Sequence, residues 1–183
     1  MPDAAKSDPL AKLKALTKSS GGDNSFAHES EADVIRRLLG IFTRVPTGQR
    51  LMDMANQYGI AIKLMKGQND FSFSPDTKTV YLGLPAGQTA PKARMLLHLA
   101  MGLQEAEQEF TGMPRPTLTM PREQFAQIHV EKQRAIFYTM CEVAHQLVNQ
   151  LGLREILDEL LKMGHIDLYE AYEEDLQDVS NKV

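Results

Sequence analysis

The sequence contains one cysteine, Cys141, and no apolar run that approaches about 18 residues. A single cysteine excludes an intramolecular disulfide framework and a cysteine-rich zinc site, and its place on an apolar helix flank predicts a buried thiol. The lack of a long apolar run predicts that the chain has no membrane span. The first residues also lack the continuous apolar core of a secretory signal. Together these absences predict a cytoplasmic protein.

An excess of basic residues is also missing. The formal net charge is −4 and the isoelectric point is about 5.7. A protein that neutralises phosphate groups is expected to carry a basic patch, so we predict that nucleic acid is not a partner. The segment LGLPAGQTAP at residues 82–91 has two glycines but lacks the lysine and the spacing of a phosphate-binding loop.

Residues 1–29 are predicted to be a flexible tail. The segment SSGGDNS at 19–25 is rich in serine and glycine, and little apolar mass precedes it. Within the tail, leucines recur at three-residue spacing beside lysines, at Leu10, Leu13 and Leu16. A solvated arm is the preferred interpretation, and a short basic amphipathic helix that meets a membrane surface or a partner is the alternative.

Residues 30–152 are predicted to form one α+β domain. A helical pattern begins after the capping residue Ser30, further helices end at Gly59 and Gly152, and between them the apolar spacing changes to two residues. The alternating segments are 60–64, 71–74 and 80–84. Tight turns join these segments, so we expect a small antiparallel β-meander packed on helices, in a domain that is mostly helical.

Residues 153–183 are predicted to be an acidic helical extension. Nine acidic and three basic residues lie between positions 154 and 183. We interpret the acidic residues as a solvated helix face. The alternative is an interaction surface for a basic partner or for a second copy of the chain, which would make the protein a scaffold or oligomerisation domain.

The segment MLLHLAMGLQEAEQEF at residues 95–110 is an apolar helix that carries one histidine, His98. At about 100° per residue, leucines and alanines fill two neighbouring flanks of this helix. His98, Gly102 and Glu105 fall on the narrow stripe that remains, within two turns of one another. This spacing predicts a polar site on that side of the helix.

Three segments resemble parts of a group of small bacterial zincin-like metallopeptidase domains. GQRLMDMANQYGI at 48–60 is similar to their helix-to-strand entry, and FSFSPDTKTVYLGLP at 71–85 is similar to their hairpin. MLLHLAMGLQEA at 95–106 resembles their HExxH helix, in which two histidines hold zinc and a glutamate activates water. The resemblance covers roughly residues 45–151 and implies a zincin-like fold.

The HExxH pattern is degenerate in this chain, because HLAMG at residues 98–102 keeps only the first ligand, His98. The resemblance places Leu99 where the general base stands and Gly102 where the second ligand stands. Leucine cannot accept a proton, and glycine has no side-chain ligand atom. The preferred prediction is therefore a pseudoenzyme without a cofactor.

A second interpretation keeps a metal ion. The stretch EKQRA at 131–135 is similar to a downstream acidic motif of the same domains, and Glu131 matches its acidic residue. If two helices cross near Gly102, then His98, Glu105 and Glu131 would supply three ligands to zinc and leave one position open. This alternative predicts an active metal-dependent hydrolase.

The resemblance also implies a binding groove, since zincins lay an extended peptide between the edge strand of the hairpin and the histidine helix. In this sequence the groove would be lined by Val80, Leu82, His98 and Gly102. Main-chain hydrogen bonds to an added strand would supply the affinity. The preferred functional prediction is a catalytically inactive zincin relative that binds a peptide or protein partner, or regulates one.

Overall fold

The computed structural model describes residues 30–85, 91–115, 117 and 119–180, so the predicted tail at residues 1–29 lies outside the described residues. The described chain is an α+β structure that is helical over most of its length. Its helices and strands follow in this order: α1 Glu31–Phe42, α2 Pro46–Tyr58, β1 Ala61–Lys66, β2 Phe71–Ser74, β3 Thr79–Leu84, α3 Lys92–Phe110, α4 Arg122–Leu151, α5 Glu155–Lys162 and α6 Ile166–Ser180.

Local chemistry places three helix ends at the predicted residues. The hydroxyl of Ser30 accepts a hydrogen bond from the Asp33 N–H at 3.2 Å, which caps α1. Helices α2 and α4 end at Gly59 and Gly152, whose φ angles of 68° and 69° are left-handed. Glycine adopts this conformation without the steric cost that a Cβ imposes. The predictions for these three ends are confirmed.

The sheet is mixed, with the strand order β1-β3-β2. Strand β3 pairs antiparallel with β2, where Phe71 lies opposite Leu82. It pairs parallel with β1, where Ala61 lies opposite Thr79. The predicted antiparallel β-meander is therefore wrong in one pairing, because β1 pairs with β3 rather than with β2 and the third strand occupies the centre.

Gly83 makes this strand order possible. Residues 67–70 carry the chain from one edge of the sheet to the other, across the end of β3. They pass so close that a Cβ on Gly83 would lie 2.3 Å from the carbonyl oxygen of Asp70 and 2.8 Å from that of Gln68. Only a residue without a side chain lets the crossing segment lie directly on the central strand.

Helix α3 runs through the middle of the core. Its apolar flanks pack against the sheet and against α2, α4 and α5, as the helical periodicity predicts. Four of its leucines are 0% exposed: Leu96, Leu97, Leu99 and Leu103. Each fully buried leucine contributes about 1.5–3 kcal/mol relative to an exposed one, so the burial of α3 stabilises the core substantially.

The acidic C-terminal helices share this core. Ile156 and Leu160 of α5 are fully buried, and Tyr169 and Tyr172 of α6 are buried beside them. Most of the acidic residues of these helices are exposed to solvent. The segment predicted as an extension therefore packs on the domain through its apolar stripe. None of the described helices has the length and hydropathy that crossing a membrane requires.

Candidate functional site

A cavity of about 660 Å³ lies between the outer edge of β2 and the helix that carries His98. Its floor is a stripe of α3 formed by Arg94, His98, Met101 and Glu105. The walls come from β2 and the residues before it, from α4, and from the junction of α5 with α6: Asn69, Asp70, Phe71, Ser72, Phe73, Gln133, Phe137, Lys162, Met163 and His165. We call it the histidine cavity, and its volume is in the range of ligand-binding pockets.

Strand β2 forms one edge of the described three-stranded sheet, beside this cavity. At the opposite edge, the Leu64 N–H of β1 donates to a carboxylate oxygen of Glu31 on α1 at 2.9 Å. No described strand pairs with the outer side of β2. The Phe71 N–H donates to Asp70 Oδ1 at 2.8 Å, so the backbone of Phe71 faces away from β3. Along an antiparallel pair, residues whose backbone bonds to the partner strand alternate with residues whose N–H and carbonyl point away from it. Phe73 lies two residues after Phe71, so its N–H and carbonyl also point away from β3.

His98 is buried where α3 meets the start of β2, and it is only 4% exposed. Its ring lies 5.7 Å from the ring of Phe71, measured between centroids, and its Nε2 lies 3.7 Å from Asp70 Oδ1. Burial lowers the pKa of His98 below the ordinary value of 6.5, and the Asp70 carboxylate opposes this shift only in part. At neutral pH the cavity therefore presents an uncharged imidazole, which can both donate and accept a hydrogen bond.

We expect His98 to make the protein less stable as the pH falls below about 6.5. In that range the unfolded chain binds a proton at this residue while the buried imidazole resists it, so added protons favour unfolding. Above that pH the residue is neutral in both states and contributes no pH dependence. Urea denaturation at about pH 7.5 and 5.5 measures the effect, with His98→Gln as the comparison. The wild type should lose more stability than the variant, and equal losses would contradict the assignment.

The structure brings two of the three predicted metal ligands to one cavity. Glu105 lies on the same stripe of α3 as His98, and burial raises the pKa of its carboxyl. Glu131 lies instead on an exposed face of α4, where it accepts a hydrogen bond from Gln127 at 3.0 Å. Among the described residues, no group of three or more histidine, cysteine, aspartate and glutamate side chains could hold a metal ion. The predicted three-ligand set is therefore not assembled there.

Leu99 and Gly102, at the positions of the missing base and second ligand, both serve packing. Leu99 is 0% exposed in the core. A Cβ on Gly102 would lie 2.6 Å from Cγ1 of Val80 and 3.2 Å from Cδ2 of Phe71, so α3 meets the sheet at this glycine. The sequence led us to expect that Gly102 allows two helices to approach. Instead, Gly102 allows a helix to approach a sheet. A side chain at this residue would point beneath β3 rather than into the histidine cavity.

Of the four predicted groove residues, His98 lines the cavity and the other three do not: Gly102 and two residues of β3. Val80 and Leu82 are on the central strand and are 0% exposed, so neither lines an open groove. Strand β3 has a partner on each side, which leaves it no edge for strand addition. The edge beside the histidine helix belongs to β2, and the wall residues that the prediction missed are Asp70, Phe71 and Phe73. The alternation in FSFS was a signal for a strand, but alternation does not reveal which strand lies at an edge.

A buried ion pair closes one end of the cavity. The Nε of Arg94 donates to Glu159 Oε1 at 2.5 Å, and the Nζ of Lys162 lies 3.9 Å from the other carboxylate oxygen. Glu159 is only 1% exposed, and a charge this deeply buried requires such partners. Arg94 and Glu159 are far apart in the chain, so no local spacing in the sequence could have revealed the pair.

A second cavity, of about 630 Å³, lies between α4 and α6. Three large apolar side chains around it are exposed: Val130 by 56%, Tyr138 by 52% and Leu168 by 44%. Cys141 reaches its inner wall but is buried, and burial raises the pKa of its thiol to about 11. The predicted burial of Cys141 is confirmed, and the thiolate that a nucleophile requires is disfavoured at neutral pH.

The chain matches no protein-family model, no curated protein and no solved structure. The resemblance to zincin-like metallopeptidase domains therefore rests on the quoted segments alone and stays a prediction.

Proposed function

We propose that the protein is a peptide-binding module that captures an extended segment of a partner protein along β2. The observation that carries this proposal is the open edge of β2 directly beside the histidine cavity. An exposed strand edge offers main-chain donors and acceptors to a new strand. The adjoining cavity offers room for the side chains that the new strand turns inward.

An added strand would bond to the N–H and carbonyl of Phe73 and to the carbonyl of Phe71. Residues of the peptide that lie opposite these two would turn their side chains to the same face of the sheet as the two rings. That face packs on α3, because the Phe71 ring lies 5.7 Å from that of His98 and the Phe73 ring lies 6.2 Å from that of Phe110. Both phenylalanines also line the cavity. Main-chain bonds would supply affinity, and the cavity would select among side chains.

We further propose that the chain is a relative of the zincins that no longer hydrolyses the peptide it binds. In this interpretation α3 keeps the first ligand, His98, beside a peptide site, while Leu99 and Gly102 are packing residues. A leucine in the place of the base cannot activate water, and a glycine in the place of the second ligand cannot hold zinc. The activity that remains is binding without cleavage, and the predicted location stays the cytoplasm.

A library of octapeptides tests the proposal. We expect the protein to bind a subset of the library, and we expect N-methylation of the tightest binder to lower its affinity at every second residue. The methyl group removes the N–H that faces β2, but it is tolerated where the N–H points to solvent. The loss of a main-chain hydrogen bond worth about 1–1.5 kcal/mol lowers affinity about five- to tenfold, which fluorescence anisotropy measures.

Hydrogen exchange supplies a control within the same sheet. Peptide binding is expected to slow exchange of the Phe73 amide, which faces outward. It should leave the Leu64 amide on the opposite edge unchanged, because Glu31 already occupies that group. A library without binders, or an N-methyl scan without a two-residue period, would contradict strand addition.

The two alternatives have less support. An active hydrolase needs the three-ligand set, and the third predicted ligand, Glu131, lies outside the histidine cavity.

A scaffold or oligomerisation role has the exposed apolar residues of the second cavity in its favour: Val130, Tyr138 and Leu168. Such exposed apolar groups are typical of protein–protein contacts, so self-association through α4 and α6 is the second candidate. Sedimentation equilibrium over a range of concentrations tests it.

A further inference from the structure

The charges that line the histidine cavity are unequally neutralised. At one end, Arg94 and Lys162 both neighbour the buried carboxylate of Glu159, at 2.5 Å and 3.9 Å. Glu159 therefore compensates one of these two positive charges within the protein, and the side chain of Lys162 is 64% exposed to solvent. His98, in the middle, adds no charge at neutral pH because burial holds its pKa below 6.5.

Two carboxylates line the cavity: Asp70 is 80% exposed to water beside the uncharged His98, whereas Glu105, at the other end, is half-buried. Its carboxylate lines the cavity three turns of helix away from Arg94, at a distance of about 16 Å along the axis. It makes no hydrogen bond or ion pair with any described residue. Lys132 of α4 acts on it from a distance, and burial has the larger effect. A half-buried carboxylate without a contacting partner is poorly solvated, so a cation that enters the cavity gains a charge-assisted hydrogen bond.

The surroundings of Glu105 suit the stem of a long cationic side chain. Met101 lies one turn earlier on α3, and Phe73 of β2 and Phe137 of α4 also line the cavity. The methylene groups of lysine and arginine bury favourably along such apolar surfaces while the charged head reaches a polar group. Aromatic rings also attract a cationic head, and they do not attract a carboxylate.

We propose that Glu105 selects a lysine or arginine side chain of the peptide that adds to β2. This inference rests on the proposed strand addition and names the class of partner: an extended segment with a basic residue at the position whose side chain enters the histidine cavity. The net negative charge of the chain favours encounter with the same partners. Hydrogen bonds to the outward-facing backbone of β2 supply affinity, and the Glu105 carboxylate selects a basic side chain.

The test uses octapeptide mixtures in which one position at a time is fixed and the other seven are randomised. The fixed residue is lysine, arginine, norleucine or glutamate. At one position we expect the lysine and arginine mixtures to bind about tenfold more tightly than the norleucine mixture, with glutamate the weakest. Norleucine keeps the apolar stem of lysine, so this ratio isolates the contribution of the charge. For the Glu105→Gln variant, the ratio of lysine-mixture affinity to norleucine-mixture affinity is expected to fall below about twofold.

Glu107→Gln is the matched control, since it removes a charge from the same helix at a residue that pairs with Arg50 of α2 outside the cavity. This variant is expected to keep the tenfold ratio, and circular dichroism melting reports whether both variants are folded. Equal binding of the lysine and norleucine mixtures by the wild type overturns the role of Glu105 and leaves strand addition intact. If both variants lose the preference for lysine over norleucine, the preference comes from the overall charge of the protein, and this result also overturns the role of Glu105. If no mixture binds, both proposals fail.

Discussion

Replacing Gly83 with alanine is expected to lower the free energy of unfolding by about 3 kcal/mol. A Cβ at this residue would lie 2.3 Å from the carbonyl oxygen of Asp70 and 2.8 Å from its nitrogen. Both are backbone atoms of the segment that crosses β3, so no side-chain rotation relieves the contact. The crossing would have to move, and with it the carboxylate that lies 3.7 Å from His98. We therefore expect peptide affinity to fall together with stability.

Gly40→Ala is the matched control for this substitution. Gly40 lies in α1, and nothing packs within 4 Å of the Cβ that alanine would add. Helix propensity alone predicts that this change raises the free energy of unfolding by about 0.5–1 kcal/mol. Urea denaturation measures both variants, and an unchanged m-value indicates that the same surface is exposed on unfolding. If Gly83→Ala is as stable as the wild type, the crossing segment does not lie on the central strand.

Gly102→Ala is expected to lower the free energy of unfolding by about 2 kcal/mol. The new Cβ would lie 2.6 Å from Cγ1 of Val80, a fully buried side chain whose β-branching restricts its rotation. Overpacking of this kind costs up to about 3 kcal/mol, and the better helix propensity of alanine returns about 1 kcal/mol. Gly102→His, which would restore the spacing of two zinc ligands, is expected to cost more, because the imidazole is larger and points beneath the sheet.

A double-mutant cycle with Val80→Ala identifies the cause of this loss. In the Val80→Ala background, the Cγ1 atom is gone, so Gly102→Ala is expected to be neutral or stabilising. Urea denaturation of the four proteins measures the coupling free energy between the two positions. An equal cost of Gly102→Ala in both backgrounds would mean that the contact with Val80 is not what requires glycine.

The helices and strands themselves were predictable because their signals are local. The cap at Ser30 and the left-handed glycines at 59 and 152 act within one turn of chain. The change from helical to alternating spacing marked all three strands, and the apolar flanks of α3 marked the core. Each of these signals depends on the chemistry of neighbouring residues, which the sequence displays directly.

The candidate site was predictable only in part. His98 and Glu105 lie on one stripe of one helix, so helical geometry alone was enough to place them in the same cavity. Glu131 is on another helix, and which face of α4 meets α3 depends on the packing between them. Buried contacts decide it: Gln108 donates to the carbonyl of Lys132 at 3.0 Å, and Thr139 donates to Gln104 at 2.8 Å. These contacts turn a different face of α4 toward α3, so Glu131 faces solvent.

The sequence by itself determined where elements begin and end, which side of each is buried, and that one apolar helix carries a polar stripe through His98. Only the tertiary structure decided which elements are neighbours. It placed β3 rather than β2 at the centre, because Gly83 lets the 67–70 crossing lie over the central strand. It also joined Arg94 to Glu159 and placed β2 at an edge of the described sheet, beside the cavity. The spacing of apolar residues indicates that a residue is buried. Which surface buries it depends on contacts between segments far apart in the chain.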